Sequence, residues 1–555
     1  LPRHVRIAFF AGAAAVGAAV AAAGAWTLLP LPEGLVAPPA DASLTITDRH
    51  GIPLRGTRTE DGSRVRWVPL ERMDPDLLLA FEAVEDRRFR DHGGVDLRAV
   101  ARATRDNLAA RRIVSGASTI TMQLARLLHP AERDWMGKAG QTLWALRLER
   151  HLDKQAILEQ YLNRMHLGQG AVGVDAAASL YFGASASQLS LGEAATLAGI
   201  ARAPSRDNPF VSPSRAARRR RSALRRMLGQ GVADSAAIAR ASAEPLLGRR
   251  RAAPFLAPHF TTRLLTRVPD GATTIESSLD LVLQEQVEAE VRAVVEGLRD
   301  RGARQAAAVV LANATGEILA WVGSPDFWAD TAGQTDMVVS PRQPGSALKP
   351  FLFGMAFDRG WTPASVLADV PRSFQTSTGP YNPRNYDRRF RGPVLAREAL
   401  ASSYNVPAVE LADRLGVIAL LRTLRLAGFE SLDRGADHYG LGLALGNGDV
   451  TLLELANGYR ALANEGQWSP YRWTAAAAGE RAPREPGRRV MSAAAAALVL
   501  DILADPVARI PGFGIETPFE FPFPVAVKTG TSRHYTDNWA IGTTGGFTVA
   551  VWVGD

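Results

Sequence analysis

The 555-residue chain contains no cysteine. That absence excludes a disulfide scaffold, thiolate zinc sites, iron–sulfur clusters and a thiol nucleophile. It leaves the compartment open, since cysteine-free proteins work on both sides of a membrane. Lysine is nearly absent too: of 64 basic residues only four are lysine, Lys138, Lys154, Lys349 and Lys528. Arginine serves wherever a generic positive charge is wanted. A lysine kept against that bias is either an accidental survivor or marks a place where a cation must also be able to release its proton, and what surrounds each one decides. There is no internal repeat, no zinc finger, no RNA-binding signature and no basic–aromatic interleaving. Nucleic acid is therefore not an expected partner, although the net charge of +8 suits some anionic partner. An apolar fraction of 46% and a charged fraction of 22% are ordinary for globular protein and exclude a largely disordered chain. At ~150 residues per domain the length allows about three or four domains.

Residues 7–29 form an uncharged run rich in Ala, Val, Phe and Leu. As a helix it would be ~35 Å long, against a bilayer core of about 30 Å. Arg3, His4 and Arg6 precede it, which keeps the N-terminus inside and exports the rest. A cleaved secretory signal is the competing reading, and it exports the remainder as well. The expected organisation is a cytoplasmic stub and transmembrane anchor over 1–30, a Pro-rich linker with short strands over 31–71, and a mainly α domain over 72–245. An interdomain stretch over 246–300 follows, then an α/β (α+β) domain over 301–555 with a mainly antiparallel sheet. Ser190 with Glu193 has the form of a capping box. Residues 215–226 carry seven arginines and read as a solvated helix face near an anionic membrane. An amphipathic helix is expected at 279–298 and paired strands at 306–312 and 317–322, with further strands at 539–541 and 547–553. The glycine-dense stretch 440–448 lacks the strand–turn–helix order of a dinucleotide site and reads as a loop before a helix at Thr451.

In the last domain, Ser346-Ala347-Leu348-Lys349 reads as a turn into a helix. Positions i and i+3 share a helix face, so the Lys349 amine is expected against the Ser346 hydroxyl, where it can act as base to a nucleophile. Ser403-Tyr404-Asn405 adds a hydroxyl for proton relay and an amide to hold a substrate carbonyl. Lys528-Thr529-Gly530-Thr531 follows a strand-like run. Lys528, Thr529 and Thr531 can bind a carboxylate, Gly530 leaves room for a substrate close to the strand, and the Ser346 and Thr531 N–H groups can form an oxyanion hole. Each pattern occurs once, in this order. Together they resemble the penicillin-binding and serine β-lactamase superfamily over about 300–555. The resemblance implies an acyl-serine mechanism on D-Ala–D-Ala stem peptides with no cofactor, and acylation by β-lactams.

In the helical domain, Glu85-Asp86-x-x-Phe89-x-x-His92-x-Gly94 groups carboxylates, a histidine and a glycine turn. A carboxylate in a cleft can deprotonate a sugar hydroxyl, while for Glu85 alone a capping or salt-bridge role is the plainer reading. Ser118, Thr119 and Gln123 enter a helix, with Arg126 after them. Hydroxyls, helix N–H groups and arginine can hold a diphosphate, and simple N-capping is the plainer reading there too. With Ile157-Leu158-Glu159-Gln160-Tyr161-Leu162-Asn163, these stretches resemble the peptidoglycan glycosyltransferases of glycosyltransferase family 51. The resemblance implies a lysozyme-like helical fold that polymerises lipid II at the membrane, with Glu85 as general base. Asp86, His92, Ser118, Thr119, Gln123, Arg126, Lys138 and Gln141 would line the substrate, and Mg²⁺ is the one cofactor implied. The third family motif is altered: Gly137 and Gln141 stand where the family has Arg and Glu. The two halves together resemble class A penicillin-binding proteins of the 1C branch, which carry a further C-terminal β domain. This sequence stops at Asp555, so a C-terminal truncation is expected. Two other readings stay open: one working domain, or a membrane-anchored scaffold recruiting cell-wall synthesis proteins. The implied partners are lipid II, glycan strands, stem peptides, β-lactams and membrane lipid.

Overall fold

The computed structural model describes residues 17–39, 42–111, 117–130, 132, 134–246, 254–269, 272–376, 379–475 and 487–555. The chain forms two compact units. One comprises residues 1–45, 56–253 and 270–273; the other comprises 46–55, 254–269 and 274–555.

The first unit is helical. Its centre is the helix Leu191–Ile200, which is almost wholly buried and packs against helices Pro75–Glu85, Pro213–Gly229 and Ser235–Ala243. A helix apolar on all sides has to be enclosed in this way. Its start is fixed by the expected capping box: Ser190 accepts from Glu193 N, and Glu193 returns a carboxylate to Ser190 N. The arginine run lies on Pro213–Gly229, but it is not simply a solvated face. Arg220 is buried and donates to the carbonyls of Ser242 and Glu244, Arg219 and Arg215 pair with Asp207, and Arg226 caps Val84 O. Arg218, Arg221 and Arg225 remain exposed. Helices Ile120–Leu128, Trp135–His151 and Lys154–Arg164 pack together on another side of the unit.

Among the described residues no helix is long and apolar enough to cross a membrane. Residues 7–16 of the apolar run at 7–29 lie outside the described residues; from 17 to 26 it is helical. Its described end is seated on the helical unit. Trp26 meets Trp144 edge-on with ring centroids 4.9 Å apart, and the Arg147 guanidinium stacks on Trp26 and donates to Leu29 O.

The second unit is built on a five-stranded antiparallel sheet in the order Ala526–Thr531, Asp537–Thr543, Phe547–Gly554, Gln305–Ala312, Ile318–Val322. Helix Leu281–Gly297 packs on Gln305–Ala312 and Ile318–Val322, and helix Leu452–Ala463 packs on Phe547–Gly554, Gln305–Ala312 and Asp537–Thr543. Two stretches expected as linkers carry structure of this unit. Helix Leu281–Gly297 lies inside 246–300. Within 31–71, residues 46–55 also belong here: buried Asp48 accepts from His50 N and Ile52 N, and Arg49 reaches Glu317. The turn signal at 48–51 was legible, but its docking surface lies more than two hundred residues away in sequence.

Candidate active sites

In the helical unit, Glu85 ends the helix Pro75–Glu85. Its Oε2 accepts from Gln123 Nε2 at 2.9 Å, and Gln123 Oε1 accepts from the Tyr161 hydroxyl at 3.1 Å. Its Oε1 is buried with no hydrogen-bond partner. A buried carboxylate oxygen left unpaired is costly and is rare in stable cores. Tyr161 was missed by the sequence reading although it lies inside a quoted motif; burial, with the Glu85 charge second, raises its pKa well above the phenolic range, so it stays a donor.

The other expected substrate residues divide. Asp86 is consumed internally, accepting from His92 Nε2 and from Ile120 N. Thr119 is the N-cap of Ile120–Leu128, accepting from Met122 N while donating to Gly94 O at 2.6 Å. Both residues and His92 build the turn that carries the site rather than facing a ligand, because a helix N-terminus must satisfy its own free N–H groups first. Ser118 is half-buried with no side-chain hydrogen bond among the described residues, and Arg126 is exposed. Lys138 donates to Gln141 Oε1 at 3.4 Å, and burial with the Arg126 charge lowers its pKa. Lys154 is structural: it bridges Glu149 and His92 O and sits over the Phe89 ring.

Mg²⁺ keeps several waters and is held by one or two carboxylates together with substrate phosphates. Here the third-motif positions offer an amine and an amide, Asp86 is already spent, and no group of three His, Asp or Glu able to hold a metal occurs among the described residues.

In the second unit, Ser346 sits half-buried in the 3₁₀ turn Gly345–Leu348, and Lys349 opens the helix Lys349–Phe357. The turn is held from several sides: Trp539 donates to Gln343 O, Tyr459 to Ala347 O, and Gly345 meets both Thr531 and Gly446. The glycine-dense loop thus has a packing reason, since a Cβ on Gly446 would lie 2.2 Å from Gly345 O. Lys349 is fully buried. Its amine donates to Ser403 O (2.7 Å), Asn405 Oδ1 (2.8 Å), Tyr404 O (3.0 Å) and Ser403 Oγ (3.4 Å). The expected hydrogen bond to Ser346 is not made. The same helical turn presents both side chains, but a buried amine takes the strongest acceptors within reach, here two carbonyls and an amide oxygen. Asn405 Nδ2 also donates to Arg384 O, which uses one of its two N–H groups. Ser403 adopts φ of 60°, a conformation unusual for a non-glycine residue. Its hydroxyl accepts from Lys528 at 2.8 Å, which joins the two lysines through one oxygen.

Neither amine has a carboxylate partner among the described residues. Burial, then the neighbouring Lys528 charge, holds Lys349 well below the ordinary lysine range, and burial brings Lys528 down to about 7. Lys528 lies on the edge strand Ala526–Thr531. Ser532 N bonds across to Asp537 O, so by alternation Thr529 and Thr531 turn their backbone groups to the free edge. Their hydroxyls make no hydrogen bond among the described residues. Gly530 serves a different need from the one expected: a Cβ there would meet Pro344 O at 2.1 Å, so it admits the nucleophile turn, not the substrate. Gly530→Ala should therefore displace that turn, destabilise the fold by about 1–3 kcal/mol and lose penicillin acylation. Denaturant melts and gel fluorescence with a labelled penicillin check both, and an unaltered acylation rate would contradict the packing argument.

The family described as Transglycosylase matches residues 53–228, and the Penicillin binding protein transpeptidase domain matches 306–554. Penicillin-binding protein 1C of Escherichia coli is 37% identical over 96% of this chain and 67% of its own length. The chain belongs to the class A penicillin-binding proteins. Penicillin-binding protein 2D of Bacillus subtilis is 32% identical over 84% of this chain and 68% of its own length. In fold, the crystal structure of penicillin-binding protein 1A from Haemophilus influenzae covers 93% of this chain and 88% of its own at a TM-score of 0.53 and 21% identity. Like other class A penicillin-binding proteins, this chain joins a helical transglycosylase domain to an α/β transpeptidase domain, and its substrates are lipid II or glycan strands and stem peptides.

Proposed function

We propose that Glu85 and Ser346 carry the two reactions. In the first domain Glu85 Oε1 takes the proton of the acceptor sugar's 4-hydroxyl as that oxygen attacks the anomeric carbon of a lipid-linked donor. Gln123 and Tyr161 hold the carboxylate in register, and Arg126 and Lys138 receive the departing diphosphate. The unpartnered oxygen of Glu85 carries this half of the reading.

In the second domain Ser346 Oγ attacks the penultimate D-Ala carbonyl and Lys349, neutral through burial, takes its proton. The terminal D-Ala leaves, and an acceptor amine then takes the acyl group. The N–H groups of Ser346 and Thr531 face the developing oxyanion. Two buried lysines with no acid partner among the described residues, meeting at the Ser403 hydroxyl, carry this half. The apolar run at 7–29 anchors the chain as a single span in the cytoplasmic membrane, with both domains outside, where the lipid-linked substrate lies. Labelling by fluorescent penicillin that disappears in Ser346→Ala tests the acyl-serine assignment.

The lysine pair makes a pH prediction. The Lys528 charge helps depress Lys349. Removing it in Lys528→Met should raise the Lys349 pKa, so that acylation by penicillin begins only at higher pH. Lys528→Arg keeps the charge and should leave that acid limb in place. A limb that does not move in Lys528→Met argues against Lys349 as the base.

A further inference from the structure

The loop between the strands Gly379–Tyr381 and Gly392–Leu395 holds a side chain that neither reaction uses. Asn385 is 5% exposed and makes every hydrogen bond that an amide can make. Its Nδ2 donates to both carboxylate oxygens of Asp369, at 2.7 and 2.9 Å, and to Arg389 O at 2.8 Å. Its Oδ1 accepts from Asn405 N at 2.8 Å and from Val406 N at 3.3 Å. Those are the first two N–H groups of the helix Asn405–Leu415, whose N-cap residue, Tyr404, supplies no side-chain bond of its own. A helix start with unsatisfied donors is thus capped by a side chain from a separate loop.

Asp369 gives the amide a fixed base. It is fully buried at the end of the strand Val366–Asp369, which pairs with Gly392–Leu395, and it also accepts from Arg391 N at 3.0 Å. The residue before Asn385 fixes a second point. Arg384 O accepts from Asn405 Nδ2 at 2.9 Å, which turns Asn405 Oδ1 toward the Lys349 amine. All four acceptors of that amine, Ser403 O, Ser403 Oγ, Tyr404 O and Asn405 Oδ1, lie within the three residues that lead into the capped helix. Ser403 keeps its φ of 60° immediately before the clamp, and such a backbone persists only where its surroundings over-determine it.

We propose that Asn385 is a positioning residue of acyl transfer: braced on Asp369, it holds Ser403–Asn405 in the arrangement that places the Lys349 amine. The assignment rests on the acyl-serine reading above and extends it to residues outside the three motifs. An aspartate at 385 could cap the same N–H groups, but it has no donor for Asp369 and would repel it.

Acylation of Ser346 by a fluorescent penicillin, followed at saturation on the full chain below its melting onset, tests the role. Asn385→Ala should lower the limiting acylation rate roughly 10- to 100-fold, while the dissociation constant of the preceding complex changes less than about threefold. Asn385→Asp should also be slow. Adding Asp369→Asn to it should recover most of the loss, because the swapped pair again sets one amide donor against one carboxylate and keeps an acceptor for the helix N–H groups. An unchanged limiting rate in Asn385→Ala, or a swapped pair no faster than Asn385→Asp alone, overturns the proposal.

The scarcity of lysine supplies a readout that needs no turnover. Lysine isotopically labelled at Cε gives four NMR signals, assigned by replacing each lysine with arginine in turn. Asn385→Ala should move the Lys349 signal, while those of Lys138 and Lys154, in the helical unit, stay in place. A displaced Lys349 signal in a protein whose Ser346 no penicillin acylates keeps the positioning of the amine and sinks acyl transfer alone. A Lys349 signal that stays put sinks the positioning role, whatever the acylation rate of the parent.

Discussion

Glu85→Gln is expected to abolish glycan-strand formation from lipid II while leaving penicillin labelling of Ser346 intact. The substitution keeps shape and keeps an oxygen for Gln123 Nε2 to donate to, so the hydrogen-bonded chain through Gln123 to Tyr161 survives. What disappears is the capacity of the unpaired oxygen to accept a proton. General-base catalysis is worth ~10²–10⁴ in rate, or about 3–5 kcal/mol at the transition state. The fold should change by less than about 1 kcal/mol, since nothing inside the protein depends on Oε1. Gln123→Ala should cost less, because it loosens the carboxylate without removing it. Gel separation of the polymer made from labelled lipid II provides the measurement; a Glu85→Gln protein keeping more than about a tenth of parental turnover sinks the assignment.

The expected contrast between the two domains follows from how each site was written in the sequence. The acyl-transfer groups were legible because they sit in short motifs whose geometry is local: Ser346 and Lys349 share one helical turn, and Lys528 to Thr531 share one strand. Their mutual arrangement was not legible. Lys349 bonds to residues 403–405, and which acceptors a buried amine selects depends on what the fold brings within about 3 Å of it. Gly530 and Gly446 tell the same story, for their neighbours are Pro344 and Gly345, far off in sequence. In the helical domain the motif residues all fall in one region, but Asp86, His92 and Thr119 support the turn instead of facing outward. A run of polar residues cannot reveal which of them must first satisfy a helix N-terminus.

The deepest test of the transpeptidase site exploits the missing cysteine. Lys349→Arg keeps donors for Ser403 O, Tyr404 O and Asn405 Oδ1, but it is permanently charged and cannot give up a proton at working pH. Acylation of Ser346 by penicillin should fall ~10²–10⁴-fold, with a packing cost of about 1–3 kcal/mol for the larger group in a fully buried site. That loss alone would not separate a base from a positioning residue. Lys349→Cys introduces the only thiol in the chain, so alkylation of the unfolded variant with 2-bromoethylamine, followed by refolding, restores an amine at this one position. The new side chain is a slightly weaker base than lysine. Activity that returns with its acid limb displaced to lower pH identifies the amine as the proton acceptor; activity that returns with an unshifted limb leaves Lys349 as a positioning residue. Stability carries a matching signature. Both amines are held below the ordinary lysine value in the folded protein, so over the range from about 7 to the ordinary lysine value of ~10.5 the unfolded chain binds more protons and stability rises with pH. Lys349→Arg, which stays protonated in both states, should flatten part of that rise, and urea midpoints measured across the window would show it.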